Sequence, residues 1–294
     1  MTASTPTRRQ VLLVSLAAST WPLQAQTPPV PGTAAATAAM APKASDAALL
    51  AALDAPHRSA ANRARDVWRH PLQTLQFFGL QPQQTVVELT PGGGWYTEIL
   101  APYLRPQGRF YAAHFAVDSP SAGARRARAN FEARLAQTPE LYDRVQLGTL
   151  PKDGRFGADI APPGGADLVV TFRNVHNWLA DDSLDSMLKA CLALLKPGGV
   201  LGVVDHRAAP GTPAATMMKT GYMGEALMEE RALAAGFKAA GRSDVNANPR
   251  DTRDHPNGVW SLPPTFAGKD VDRERFVAIG ESDRFTHRYQ RPAG

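Results

Sequence analysis

Val86-Val87-Glu88-Leu89-Thr90-Pro91-Gly92-Gly93-Gly94-Trp95-Tyr96 is the stretch that decides the fold. An apolar, β-branched run ends in a carboxylate, turns on three glycines and feeds a helix that starts near Gly94. A continuous apolar run bounded by turn residues reads as a strand buried on both faces. In open parallel sheets, ligands sit beyond the carboxyl ends of the strands, where the strand order reverses. Glycines let the backbone approach such a ligand, and the following helix offers free N–H groups. Glu88, Gly92, Gly93 and Gly94 are therefore candidate ligand contacts, and the carboxylate suits a cationic ligand group. A glycine run alone is as often a structural turn, so the surroundings must decide.

Working outward, strands are expected at 109–115, 145–150, 166–172 and 200–205, with helices at 94–104, 121–136 and 181–195 between them. Parallel pairing needs a crossover of about a dozen residues or more, so this alternation implies a doubly wound, Rossmann-like α/β sheet covered on both faces. Upstream, 46–53 and 57–78 read as helices, with Pro71 opening a new turn and Gly79 closing it. Downstream, a helix at 225–235 leads into a strand at 237–245. A long Asn-, Pro- and Asp-rich segment follows at 246–269, then a short helix and a closing strand at 284–290. A loop of that length is either a binding loop or a surface wrap. Arg125, Arg126, Arg128 and Arg134 read as a solvated helix face, Met217, Met218, Met223 and Met228 as helix packing, and Cys191 as core.

The chain has 294 residues and a formal charge of +5. Residues 1–25 hold two arginines and no acids, so without them the charge is +3, too mild to imply a nucleic-acid partner. No window reaches the length of a membrane span. The single cysteine excludes an internal disulfide and a multi-cysteine metal cluster. Arg8-Arg9, the apolar stretch from Val11 to Ala18 and the small residue Ala25 follow the order of a secretory signal, here of twin-arginine type. The expected organisation is a signal at 1–25, an Ala/Pro-rich tether at 26–45 and one domain at 46–294, in a periplasmic or exported protein.

Three further motifs stand in order after the glycine turn. They are Ala166-Asp167-Leu168-Val169-Val170-Thr171, Asn174-Val175-His176-Asn177-Trp178, and Leu194-Leu195-Lys196-Pro197-Gly198-Gly199-Val200-Leu201. With them, residues 57–207 resemble class I S-adenosylmethionine-dependent methyltransferases. Gly92-Gly93-Gly94-Trp95-Tyr96-Thr97-Glu98, Asn246-Ala247-Asn248-Pro249, Asp254-His255-Pro256 and Val259-Trp260 resemble, more closely, a bacterial family of predicted, exported methyltransferases.

The resemblance implies a seven-stranded sheet with a reversed last strand, S-adenosyl-L-methionine as cofactor, and methyl transfer to a small-molecule or protein acceptor. Two positions depart from the pattern. Thr90 stands where the superfamily has its first glycine, and Ala113-His114-Phe115 replaces the acid that holds the ribose at the end of the second strand. His114, or Asp118 from the loop beyond it, is the candidate substitute. The loop Arg173, Asn174, His176 and Asn177, with Asp205 and His206 at the end of the fifth strand, is placed to face the methyl group. His176, Asn174 and His206 are the catalytic candidates, since a histidine is a suitable general base near neutral pH. Asp205-His206 alone makes no metal site. The alternative reading is an exported binding protein that keeps the fold without turnover. A dinucleotide oxidoreductase ranks below both, because its ribose needs the same missing acid. Oligomeric state is not legible in the sequence.

Overall fold

The computed structural model describes residues 44–150 and 155–294; the signal and most of the tether lie outside the described residues. The strands are β1 (Thr85–Leu89), β2 (Arg109–His114), β3 (Val145–Thr149), β4 (Ala166–Phe172), β5 (Leu195–His206), β6 (Lys238–Ser243) and β7 (Arg284–Gln290), with the apolar runs in the central ones. They lie in one sheet in the order β3-β2-β1-β4-β5-β7-β6. The strands from β1 to β5 pair in parallel, and β7 runs antiparallel to both β5 and β6. The expected seven-stranded sheet with a reversed last strand is therefore present. Strand order reverses between β1 and β4, so the crevice beyond their carboxyl ends is where such a sheet takes its ligand.

Alternate side chains of the central strands enter two cores. Val87, Leu89, Val169 and Leu201 pack on one face; Val86, Leu168, Val170 and Val204 pack on the other. The second face is covered by α1 (Ala44–Asp54), α4 (Pro71–Phe78) and α5 (Thr97–Leu104), with the short α2 (Ala60–Arg63) and α3 (Asp66–Arg69) lying between α1 and α4 in the chain. The chain then runs through α6 (Ala122–Gln137), α7 (Pro139–Tyr142), α8 (Val175–Ala180), α9 (Leu184–Leu194), α10 (Ala214–Thr220), α11 (Glu225–Ala234) and α12 (Arg273–Ile279).

The helix expected at 57–78 is three helices. His70 turns left-handed, with φ 38°, because proline disfavours helical backbone in the residue before it. α7, α8 and α10, of 4, 6 and 7 residues, escaped the sequence reading because so few turns show no clear periodicity. β5 begins at Leu195, ahead of the Pro197-Gly198-Gly199 turn, with a bulge between the Ala166 and Leu168 pairings.

Two expectations need correction. Arg128 is buried and donates to the carbonyls of Phe115 and Gly148, at 3.1 and 3.2 Å, joining the ends of β2 and β3. Arg134 donates to the Gly93 carbonyl at 2.7 Å and pairs with Glu98, so only Arg125 and Arg126 belong to an exposed face. Among the methionines, Met217, Met223 and Met228 are core, whereas Met218 is exposed. Cys191 is buried, as expected.

Candidate active site at the carboxyl ends of the strands

Thr90 solves the missing-glycine problem by taking left-handed backbone itself, with φ 51°, followed by Gly92 at 58° and Gly94 at 80°. A side chain added at Gly92 or Gly93 would meet nothing within 4 Å, so the turn fronts open space; at Gly94 it would meet Phe131 at 3.1 Å. Glu88 lies beneath this turn, 2% exposed, and accepts a hydrogen bond from Thr97 Oγ1 at 2.7 Å. Burial pushes its carboxyl up from 4.5 to about 7.

The rest of the motif anchors the N-terminal helices. Trp95 Nε1 donates to the Asn62 carbonyl, and its ring carries the guanidiniums of Arg58 and Arg69 at 5.2 and 4.6 Å. Glu98 is buried and accepts from Asn62 Nδ2 at 2.8 Å. Tyr96 stacks on Phe172 at the end of β4, with centroids 3.4 Å apart.

His114 ends β2 fully buried, with both nitrogens engaged by backbone. Nδ1 accepts from the Phe115 N–H at 2.8 Å, which places the proton on Nε2, 3.3 Å from the Gly92 carbonyl. Burial lowers its pKa, so the ring is a neutral strut under the turn. Asp118 is exposed on the loop that follows.

At the ends of β4 and β5 the candidates converge. Asn174 Nδ2 donates to the Leu89 carbonyl and to Thr171 Oγ1, each at 3.1 Å, bracing the β4 loop against the end of β1. The Asp205 carboxylate is fully buried. It accepts the His176 N–H at 2.9 Å, His176 Nδ1 at 2.9 Å and the His206 N–H at 2.8 Å. This fixes the His176 proton on Nδ1 and leaves Nε2 without a hydrogen-bond partner among the described residues. The Trp260 ring stands edge-on to His176 at 6.1 Å.

His206 has no such free nitrogen: Nε2 accepts from Arg173 Nε at 3.2 Å, and Nδ1 meets Ser282 Oγ. Burial, then the Arg173 charge, hold it well below 6.5, so it stays neutral. Ligand atoms of His176, Asp205 and His206 lie within 4.8 Å of one another, close enough in principle for a metal. His206 Nε2 already accepts from a guanidinium and the Asp205 carboxylate already accepts three N–H groups, which leaves His176 Nε2 as the one free ligand atom of the three residues and fits an oriented histidine better than a cation site.

Sequence reasoning missed a group of arginines beside this pair. Arg65 and Arg69 on α2–α3 and Arg284 at the start of β7 all converge on Glu281, at 2.6, 3.1 and 3.1 Å. The i, i+4 spacing of Arg65 and Arg69 was a visible signal, but their carboxylate partner lies more than 200 residues away. The 246–269 segment is a wrap held from inside. Asn246 donates to Thr74 and Thr286, Asn248 to the carbonyls of Ile279 and Glu281, and Asp251 accepts from Tyr222 and His255.

No protein-family model and no curated protein sequence matches this chain. Solved structures do match in fold. A SAM-dependent methyltransferase from Aquifex aeolicus is 14% identical, with TM-score 0.52, over 78% of this chain and 93% of that one. The [4+2]-cyclase SpnF is 18% identical, with TM-score 0.51, over 77% and 81%. Phosphoethanolamine N-methyltransferase 2 from Haemonchus contortus, solved in complex with S-adenosyl-L-methionine, is 15% identical, with TM-score 0.51, over 76% and 53%. At such identities the likeness concerns architecture alone: this chain has the Rossmann-like fold of class I methyltransferases.

Proposed function

We propose that this protein transfers a methyl group from S-adenosyl-L-methionine to an oxygen or nitrogen of a small-molecule or protein acceptor. The observation that carries the proposal is the His176–Asp205 pair at the strand ends, braced through Asn174 to the β1 end that leads into the glycine turn. The turn fits the cofactor in part. Gly92 and Gly93 front open space, and Glu88 is a buried carboxylate suited to the ligand's cationic group. The ribose contact is the weaker match, because His114 spends both nitrogens on backbone and leaves Asp118 as the acid within the loop.

The cofactor supplies an electrophilic methyl when bound. His176 Nε2, its lone pair exposed by the Nδ1–Asp205 bond, takes the proton from the acceptor's nucleophile. Asp205 stabilises the imidazolium that forms. Asn174 positions the loop, and His206, neutral and doubly hydrogen-bonded, supports Arg173.

The test is calorimetric titration of the full-length protein with S-adenosyl-L-methionine and S-adenosylhomocysteine. Binding near micromolar, about −8 kcal/mol, with loss in Glu88→Ala, is the expected result. His176→Ala should keep that affinity and lower methyl release. No binding by either ligand refutes the proposal. It would favour a second reading, a binding protein on this fold for another ligand, for which the engaged His114 is the supporting observation.

A further inference from the structure

The fold holds more cationic charge beside His176 than its own residues neutralise. Arg65, Arg69 and Arg284 share one carboxylate, Glu281, and among the described residues no other carboxylate lies within 4.0 Å of them. Arg173 takes a left-handed backbone, with φ 65°, and has no carboxylate within that distance among the described residues. Its Nε bonds to a neutral imidazole instead. Arg65 Nη2 and Arg284 Nε are buried without a hydrogen-bond partner, and the Arg284 side chain is 3% exposed. Burying cations without counter-ions is costly, and a fold retains such a group only where something else offsets it.

The geometry points to an anion subsite formed by Arg173, Arg65, Arg69 and Arg284, which takes a carboxylate or phosphate carried by the methyl acceptor. Guanidiniums present paired N–H donors that match such oxyanions. Burial and mutual repulsion depress the pKa of Arg173, Arg65 and Arg284 together, so an anion held among them would be bound by charge as well as by hydrogen bonds. Placement decides between acceptor and cofactor as the anion's source. Arg173 follows β4, and Arg284 pairs in register with His206 at the end of β5. The glycine turn belongs to β1, on the other side of the reversal in strand order. Arg69, stacked on Trp95, reaches toward that turn, so the cofactor's own carboxylate is the source to be distinguished.

The inference rests on the methyl-transfer reading for the word acceptor, but its test does not. Inorganic phosphate is titrated into the full-length protein, with and without saturating S-adenosylhomocysteine, and into Arg173→Gln and Arg65→Gln. Saturable phosphate binding, unchanged by S-adenosylhomocysteine and weakened about tenfold in each variant, is the expected result. Arg65, at the partly exposed edge, carries the test if Arg173→Gln fails to fold. No saturable binding, or binding indifferent to both variants, overturns the subsite. Competition by S-adenosylhomocysteine but not by 5′-methylthioadenosine, which lacks the carboxylate, overturns the assignment to the acceptor. Arginine-dependent phosphate binding in a protein that ignores S-adenosylhomocysteine upholds the subsite and refutes methyl transfer alone.

Discussion

Replacing Glu88 by glutamine keeps the shape of the side chain and its acceptor for Thr97, and removes only the ability to ionise. In the native protein burial raises this carboxyl to about 7, against an ordinary 4.5 that the unfolded chain restores. Below about pH 4.5 both states are protonated, and Glu88 adds no pH dependence. Between 4.5 and about 7 the unfolded chain releases its proton while the native protein keeps it, so native stability falls as pH rises. At about 1.4 kcal/mol per pH unit, the penalty reaches about 3 kcal/mol and stays constant above pH 7. Glu88→Gln should therefore match the wild type at pH 4.5 and exceed it by about 3 kcal/mol at pH 8.

Urea unfolding of both proteins across this range measures the difference directly, because all other titrating groups cancel. A difference that stays flat with pH would refute the claim that burial desolvates Glu88 and keeps it protonated up to about pH 7. The same linkage governs the ligand: a cationic cofactor group must draw the proton off Glu88. Its affinity should then weaken by about tenfold per pH unit below 7.

Two further expectations concern the scaffold. Gly202→Ala would set a Cβ 2.6 Å from the Phe78 ring in the middle of β5, and should cost about 1–3 kcal/mol by chemical denaturation; an unchanged midpoint would mean that α4 is free to shift. Thr90→Gly should raise stability by about 1 kcal/mol, because a β-branched residue at φ 51° is strained. A loss instead would show that Thr90 contacts outweigh that strain.

How far the sequence could be read follows from the range of the forces involved. β4 and β7 matched their expected spans residue for residue: β4 is a nearly continuous apolar run bounded by turns, and β7 sets Phe285, His287 and Tyr289 at alternate positions, both local signals. The glycine turn was legible for the same reason, and so was the reversed last strand, through the resemblance carried by local motifs. The arginine group was not legible. Its members approach from α2–α3, the β4 loop and β7, and only closure of the sheet brings them together. The role of Asp205 was half visible: its place at the end of the fifth strand was legible, but its bond to His176, 29 residues away, was not. Arg128 was misread because its burial depends on two strand-end carbonyls that no helix periodicity reveals.

Asn174 carries a consequence of its own. One amide spans the reversal in strand order, hydrogen-bonded to the Leu89 carbonyl on one side while sitting two residues before His176 on the other. On the proposed reading, this amide adds to the β1–β4 pairing a side-chain brace that sets the separation between the seat of the electrophile and the base. Reaction rates fall steeply when reacting groups are displaced by as little as 1 Å. Loss of this amide would leave every reacting group intact and correctly protonated, and would still slow the protein, as a fault of alignment with no fault of chemistry.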